Sequence, residues 1–75
     1  MAQRHPALTR FGRNVRRRRE TLDFTQEQLS EKAELDQTYI SGIESGARNP
    51  TILSTLRIAK ALKTSVAGLC EGIDG

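Results

Sequence analysis

The sequence predicts an all-α domain. Apolar residues recur at spacings of three and four, no stretch alternates with the period of two that a half-buried strand needs, and cap-forming residues punctuate the apolar runs. With 75 residues there is length for one core, and 36% hydrophobic against 28% charged residues is too apolar for a disordered tail and too polar for a membrane span. Residues 1–7 read as a flexible arm, 8–71 as the domain and 72–75 as a tail.

The elements follow in order. Leu8, Phe11, Val15 and Leu22 share one face, which predicts a first helix over 8–22 whose other faces are rich in arginine. Thr25-Gln26-Glu27-Gln28 has the form of a capping box, with Phe24 and Leu29 at the spacing of a hydrophobic staple, so a second helix runs from Gln26 to Ala33. Asp36, flanked by Leu35 and Ile40, repeats this logic as an N-cap and predicts a third helix from Gln37 to about Ser45, stopped at Gly46. Only Glu34, Leu35 and Asp36 separate the two helices, and two short helices joined by so tight a turn form a helix-turn-helix unit. Asn49-Pro50-Thr51 starts a fourth helix with Ile52, Leu56, Ala59 and Leu62 as its expected buried stripe. Ser65 caps a short fifth helix holding Val66 and Leu69.

Charge is distributed unevenly. Arg4, Arg10, Arg13 and Arg16 to Arg19 precede the first acid, Glu20, whereas Glu20 to Glu44 carries seven acids and one base, Lys32. A basic block on a small domain favours a polyanionic partner, and charge alone is compatible with DNA, RNA or an acidic protein. No apolar run approaches the ~20 residues of a membrane-spanning helix. The absence of a secretory apolar stretch and the single Cys70 point to the cytoplasm. Cys70 has no base partner and His5 no second metal ligand, so His5 reads as an arm residue, and no metal, cofactor or small-molecule ligand is expected. No Ser-His-Asp set, paired carboxylates or phosphate-cradling glycine loop exists, which argues against an enzyme.

Three strings then converge: Phe24 to Leu29 (FTQEQL), Asp36 to Gly46 (DQTYISGIESG) and Ala47 to Pro50 (ARNP), followed by Leu56 to Leu62 (LRIAKAL). Together they resemble the Cro and phage-repressor family of five-helix, lambda-repressor-like DNA-binding domains, and within it the controller proteins of restriction–modification systems. The resemblance implies that the third helix enters the major groove with Gln37, Thr38 and Ser41 facing base edges. It also implies that Gln26 grips a phosphate and that Tyr39, Arg48 and Asn49 lie beside the DNA backbone. Glutamine can bond N6 and N7 of adenine, threonine can offer its hydroxyl or its methyl, and first-turn N–H groups attract phosphate, so the chemistry permits these roles.

Of the arginine run, Arg16 and Arg17 are the expected backbone contacts, because four consecutive residues fan around a helix and cannot all meet one strand. The resemblance places Arg19 opposite Glu44 as a partly buried ion pair. Arg18 stands where the family buries an aliphatic side chain, so its methylenes are expected across the core edge with the guanidinium in water. Glu34 stands where the family has glycine, which predicts a turn of different shape. Glu27, Glu31 and Glu34 form an acidic stripe that reads as a solvated face; resemblance to lambda-type repressors adds RNA polymerase as a second reading of Glu27 and Glu31.

The expected function is a transcription regulator, repressor or activator, that binds a palindromic operator as a homodimer and regulates its own synthesis. With no room for a sensor, concentration is its expected switch. The rival readings are an antitoxin, which a co-purifying toxin would reveal, and a protein-interaction module without salt-dependent DNA affinity. One such unit reads half a site, so the dimer interface is expected at the end formed by the fourth and fifth helices, from Leu53, Val66, Leu69 and Ile73, with at least one of Val66 and Leu69 expected to close the monomer's own core instead.

Overall fold

The computed structural model describes residues 4–73; the remainder of the expected arm and tail, 1–3 and 74–75, lies outside the described residues. Within them the chain forms five helices and no strand: α1 (Pro6–Thr21), α2 (Gln26–Ala33), α3 (Gln37–Glu44), α4 (Ile52–Ala61) and α5 (Val66–Leu69). α1 packs on α3 and α5, while α2 packs on α3 and α4. The core they enclose is Phe11, Val15, Leu29, Ala33, Ile40, Ile43, Ile58, Ala59, Leu62 and Leu69.

Cap chemistry sets most boundaries. Thr25 Oγ1 accepts from the Gln28 N–H at 3.0 Å while the Thr25 N–H donates to Gln28 Oε1 at 2.9 Å, completing the reciprocal box at the start of α2. Ser65 Oγ accepts from the Gly68 N–H at 2.9 Å and opens α5. α1 begins earlier than Leu8. Pro6 sits in its first turn, where a missing N–H is harmless, and His5 Nδ1 accepts from the Ala7 N–H at 3.0 Å, so His5 is a cap rather than a loose arm residue. Asp36 holds the N-cap position of α3 but makes no side-chain cap bond. α4 is capped by Thr51, with Pro50 outside it.

The buried face of α4 differs from the expected stripe. Thr55, Ile58, Ala59 and Leu62 are buried, whereas Ile52 is 81% and Leu56 39% exposed. Thr55 can occupy an inward position because its hydroxyl is satisfied locally, donating to the Thr51 carbonyl at 2.9 Å. A search for apolar periodicity passes over such a residue.

Two close backbone features fix the frame. A Cβ on buried Gly12 would collide with the carbonyl oxygens of Ile43 and Glu44, so glycine lets α1 lie directly on the last turn of α3. The turn between α2 and α3 does take the left-handed shape, with Glu34 at φ 56° and ψ 45°, contrary to the expectation of a different turn. The Leu35 N–H closes it onto the Ser30 carbonyl at 2.9 Å, and that bond together with the core contact of Leu35 holds the strained conformation.

Replacing Glu34 with glycine removes a left-handed penalty of roughly 1–2 kcal/mol against a glycine entropy cost of roughly 0.5–1. Glu34→Gly is therefore expected to raise unfolding stability by about 0.5–1 kcal/mol, read from urea midpoints at unchanged slope.

Candidate nucleic-acid interface

α3 has three distinct faces. Ile40 and Ile43 are fully buried, so the helix is pinned from below. Gln37, Thr38 and Ser41 are exposed and, with half-buried Gln26 from the first turn of α2, line a groove of about 310 Å³. At about 100° per residue these three α3 positions span roughly 100° of the helix, a polar strip with hydrogen-bond donors and acceptors and no charge.

The strip is flanked on both sides. On one flank Gln26 Nε2 donates to Glu44 Oε1 at 3.0 Å. On the other, the Arg48 side chain lies over Gly42, its backbone N–H donates to the Gly42 carbonyl at 3.1 Å, and its guanidinium carbon stands 6.0 Å from the centre of the Tyr39 ring. Arg48 and the neighbouring Asn49 are exposed, and Tyr39 is half-buried against the core. Gly46, at φ 79°, turns the chain from α3 into this segment.

Beneath the Gln26 flank lies the strongest electrostatic contact of the molecule. Arg19 grips Glu44 with two bonds, Nε to Oε2 at 2.7 Å and Nη2 to Oε1 at 3.0 Å, and its Nη1 donates to the Phe24 carbonyl at 2.7 Å. The side chains are 12% and 4% exposed. The Glu44 hydrogen bonds raise the Arg19 pKa above its ordinary value despite the opposing effect of burial, so the guanidinium stays charged throughout the working pH range. Removing one partner of such a pair costs roughly 3–5 kcal/mol, because the other is left buried and uncompensated.

The rest of the arginine block is divided. Arg16 is exposed and pairs with Glu20 at 3.3 Å, about 60° around α1 from Arg19. Arg17 is exposed, lies about 160° from Arg19 and lines a separate shallow cavity with Thr64, Gly68 and Glu71 at the α5 end. Arg18 does not release its guanidinium to water: Nε and Nη2 donate to the Leu62 and Lys63 carbonyls at 2.9 and 3.1 Å, closing the C-terminus of α4. Three partners went unrecognised in the sequence. Buried Asn14 donates to the Leu69 and Glu71 carbonyls at 2.8 and 2.9 Å, Arg10 Nε donates to the Glu71 carbonyl at 3.2 Å, and Arg4 donates to the Ser45 carbonyl at 2.8 Å. Only an isolated asparagine amid arginines could have signalled the first of these.

Of the four expected interface residues, Leu69 is 1% exposed and belongs to the monomer core. Val66 and Ile73 are half-buried and packed against that core, which leaves Leu53, 60% exposed, as the one with a free apolar surface. Ile52 and Leu56 on α4 are the other exposed large apolar side chains among the described residues. Glu27 and Glu31 are exposed on α2. Among the described residues no group of three or more His, Cys, Asp or Glu could hold a metal, and no helix is long and apolar enough to cross a membrane.

With this geometry in place, comparison with known proteins is specific. Residues 15–69 match the helix-turn-helix family. The chain is 45% identical over 56 residues to control protein C.SmaI of Serratia marcescens, covering 75% of this chain and 67% of that one. The restriction–modification controller protein C.AhdI of Aeromonas hydrophila has a similar structure, with a TM-score of 0.85 at 32% identity over 87% of this chain and 98% of that one. The controller protein C.Esp1396I, solved as a tetramer in complex with its natural 35-base-pair operator, matches with a TM-score of 0.82 at 37% identity over 93% of this chain and 92% of its own.

Proposed function

The chain belongs to the helix-turn-helix family of Cro, phage repressors and restriction–modification controllers, and from that premise we propose that it is a sequence-specific DNA-binding transcription regulator, without enzymatic activity, acting in the cytoplasm. It binds a palindromic operator as a homodimer and regulates the operon that encodes it, in the manner of a restriction–modification controller. One observation carries this reading: an exposed, uncharged polar strip on a rigidly seated helix, between two flanks suited to phosphate. The working domain is one unit, extended at its start to Pro6.

In this reading Gln37, Thr38 and Ser41 read base edges in the major groove. Gln26, Arg48, Asn49 and Tyr39 hold the sugar–phosphate backbone, with Arg16 as the outer cation from α1. The dimer forms through the α4 face of Ile52, Leu53 and Leu56, the large apolar side chains left most exposed. A small interface dissociates in the micromolar range, which makes operator occupancy depend steeply on concentration. Exposed Glu27 and Glu31 face RNA polymerase when the bound dimer activates.

The base-reading assignment is tested by equilibrium binding to operator variants. Gln37→Ala is expected to cost about 1–3 kcal/mol at particular base pairs, while Arg48→Ala weakens all sites alike and lowers the salt slope by about one unit. Wild-type affinity of Gln37→Ala for every variant would remove Gln37 from the reading surface.

For the interface, Leu53→Asp should keep the monomer's thermal unfolding and abolish the concentration-dependent mass rise in sedimentation equilibrium. A variant that dimerises as the parent does would place the contact elsewhere. For the polymerase surface, Glu27→Lys with Glu31→Lys should retain operator affinity and lose promoter activation in a purified transcription assay. Undiminished activation would return the stripe to a solvated face.

A further inference from the structure

We infer that Glu44 is a positioning residue of the DNA interface, which sets the orientation of the Gln26 side chain and so decides which of its groups meets phosphate; this rests on the DNA-binding reading above. Three bond lengths carry it. Glu44 is itself immobilised, gripped by Arg19 at 2.7 and 3.0 Å and only 4% exposed in its side chain, and Gln26 Nε2 donates to its Oε1 at 3.0 Å.

A free glutamine has several rotamers and an amide that presents either its oxygen or its nitrogen, and ordering it on a DNA backbone costs up to roughly 2 kcal/mol of side-chain entropy. An ionised carboxylate only accepts hydrogen bonds, so Glu44 selects the flip state in which the Gln26 nitrogen faces inward. One N–H is then committed to Glu44, and the second remains for an acceptor in the groove that Gln26 shares with Gln37, Thr38 and Ser41. A phosphate oxygen is such an acceptor. Arg19 keeps this arrangement compatible with DNA: it neutralises the carboxylate that would otherwise repel the phosphate beside it. Residue 44 thus does more than join α1 to α3. A glutamine there could still accept one bond from Arg19, but its own amide could face Gln26 with either end, and the selection would be lost.

The test uses the full chain and a duplex enriched by the wild-type protein from a random library. Single phosphates are replaced one at a time by neutral methylphosphonate. Gln26→Ala and Glu44→Gln are each expected to weaken binding about tenfold and to lose sensitivity to the same phosphate, and the double variant is expected to be no weaker than either single one. Tenfold corresponds to about 1.4 kcal/mol. Multiplying losses, or a Glu44→Gln protein that keeps full sensitivity to that phosphate, would overturn the proposal.

A second measurement stands apart from the folding of any variant. In the ¹⁵N-labelled wild-type protein, the two Gln26 side-chain amide protons should show unequal solvent exchange, the one bonded to Glu44 being protected. Two equally fast protons, as in a free glutamine, would also overturn it. If the wild-type protein enriches no duplex, the DNA-binding reading fails, and the amide protons still decide whether Glu44 holds Gln26.

Discussion

Arg19 is the contact on which the arrangement of α1, α2 and α3 depends. From α1 its planar fork reaches two places at once: the Phe24 carbonyl just before the cap of α2, and both carboxylate oxygens of Glu44 at the end of α3. Apolar burial drives the collapse of these helices, but it is non-directional and would tolerate a range of crossing angles. A bidentate charged contact fixes distance and plane together. Its net contribution over an apolar pair is small, since desolvation offsets most of the attraction, so its role here is geometric. Gly12 completes the constraint from the other direction, because the backbone of α1 can approach the last α3 carbonyls only where no Cβ intervenes.

The same arithmetic changes the meaning of the basic block. By sequence it is a run of cations suited to a polyanion; in the fold, much of it is an internal scaffold. Arg10, Asn14 and Arg18 lie along one side of α1 and donate to backbone carbonyls at residues 62, 63, 69 and 71. Helix C-termini leave carbonyls without partners, and donors of this kind satisfy them while complementing the negative end of the dipole. α4 and α5 are short and end close to α1, so long side chains from one helix can close both. The cations left to meet phosphate are therefore fewer than the composition suggests.

What the sequence made visible follows from range. The bounds of α2 and the start of α5 are legible because their caps are local: Thr25 with Gln28 and Ser65 with Gly68 are three residues apart. Contacts between distant segments leave no local mark, which is why Arg18 reads as solvated from its sequence alone and why Arg19 with Glu44 is legible only through the family resemblance. Asn14 and Leu69 are 55 positions apart, and nothing local distinguishes such a pair from two unrelated polar and apolar residues. The α4 stripe failed for a different reason: Thr55 hides its polarity within its own helix. At the proposed reading surface the residues come from the family resemblance, and their exposure agrees with the pattern, since Ile40 and Ile43 take the inward face and leave Gln37, Thr38 and Ser41 on the other. The bond between Gln26 and Glu44 does not, because it depends on how α1 seats α3.

The contacts that seat α3 and the surface proposed to read DNA are separate in the fold. α2 packs on both α3 and α4, so it links the groove-facing helix to the helix that carries Ile52, Leu53 and Leu56. A dimer formed through α4 would therefore carry its two α3 helices as parts of rigid bodies, without using any base-reading side chain for assembly. Size makes this workable. Equivalent points across a two-fold axis are separated by twice their distance from it, and a body of 31 × 24 × 22 Å has room for an α3 standing about 17 Å from that axis. Successive major grooves on one face of a duplex are about 34 Å apart. An α4 interface would thus set the half-site spacing open to such a dimer, because it fixes how far each α3 stands from the axis, and the arginine scaffold would keep that distance constant.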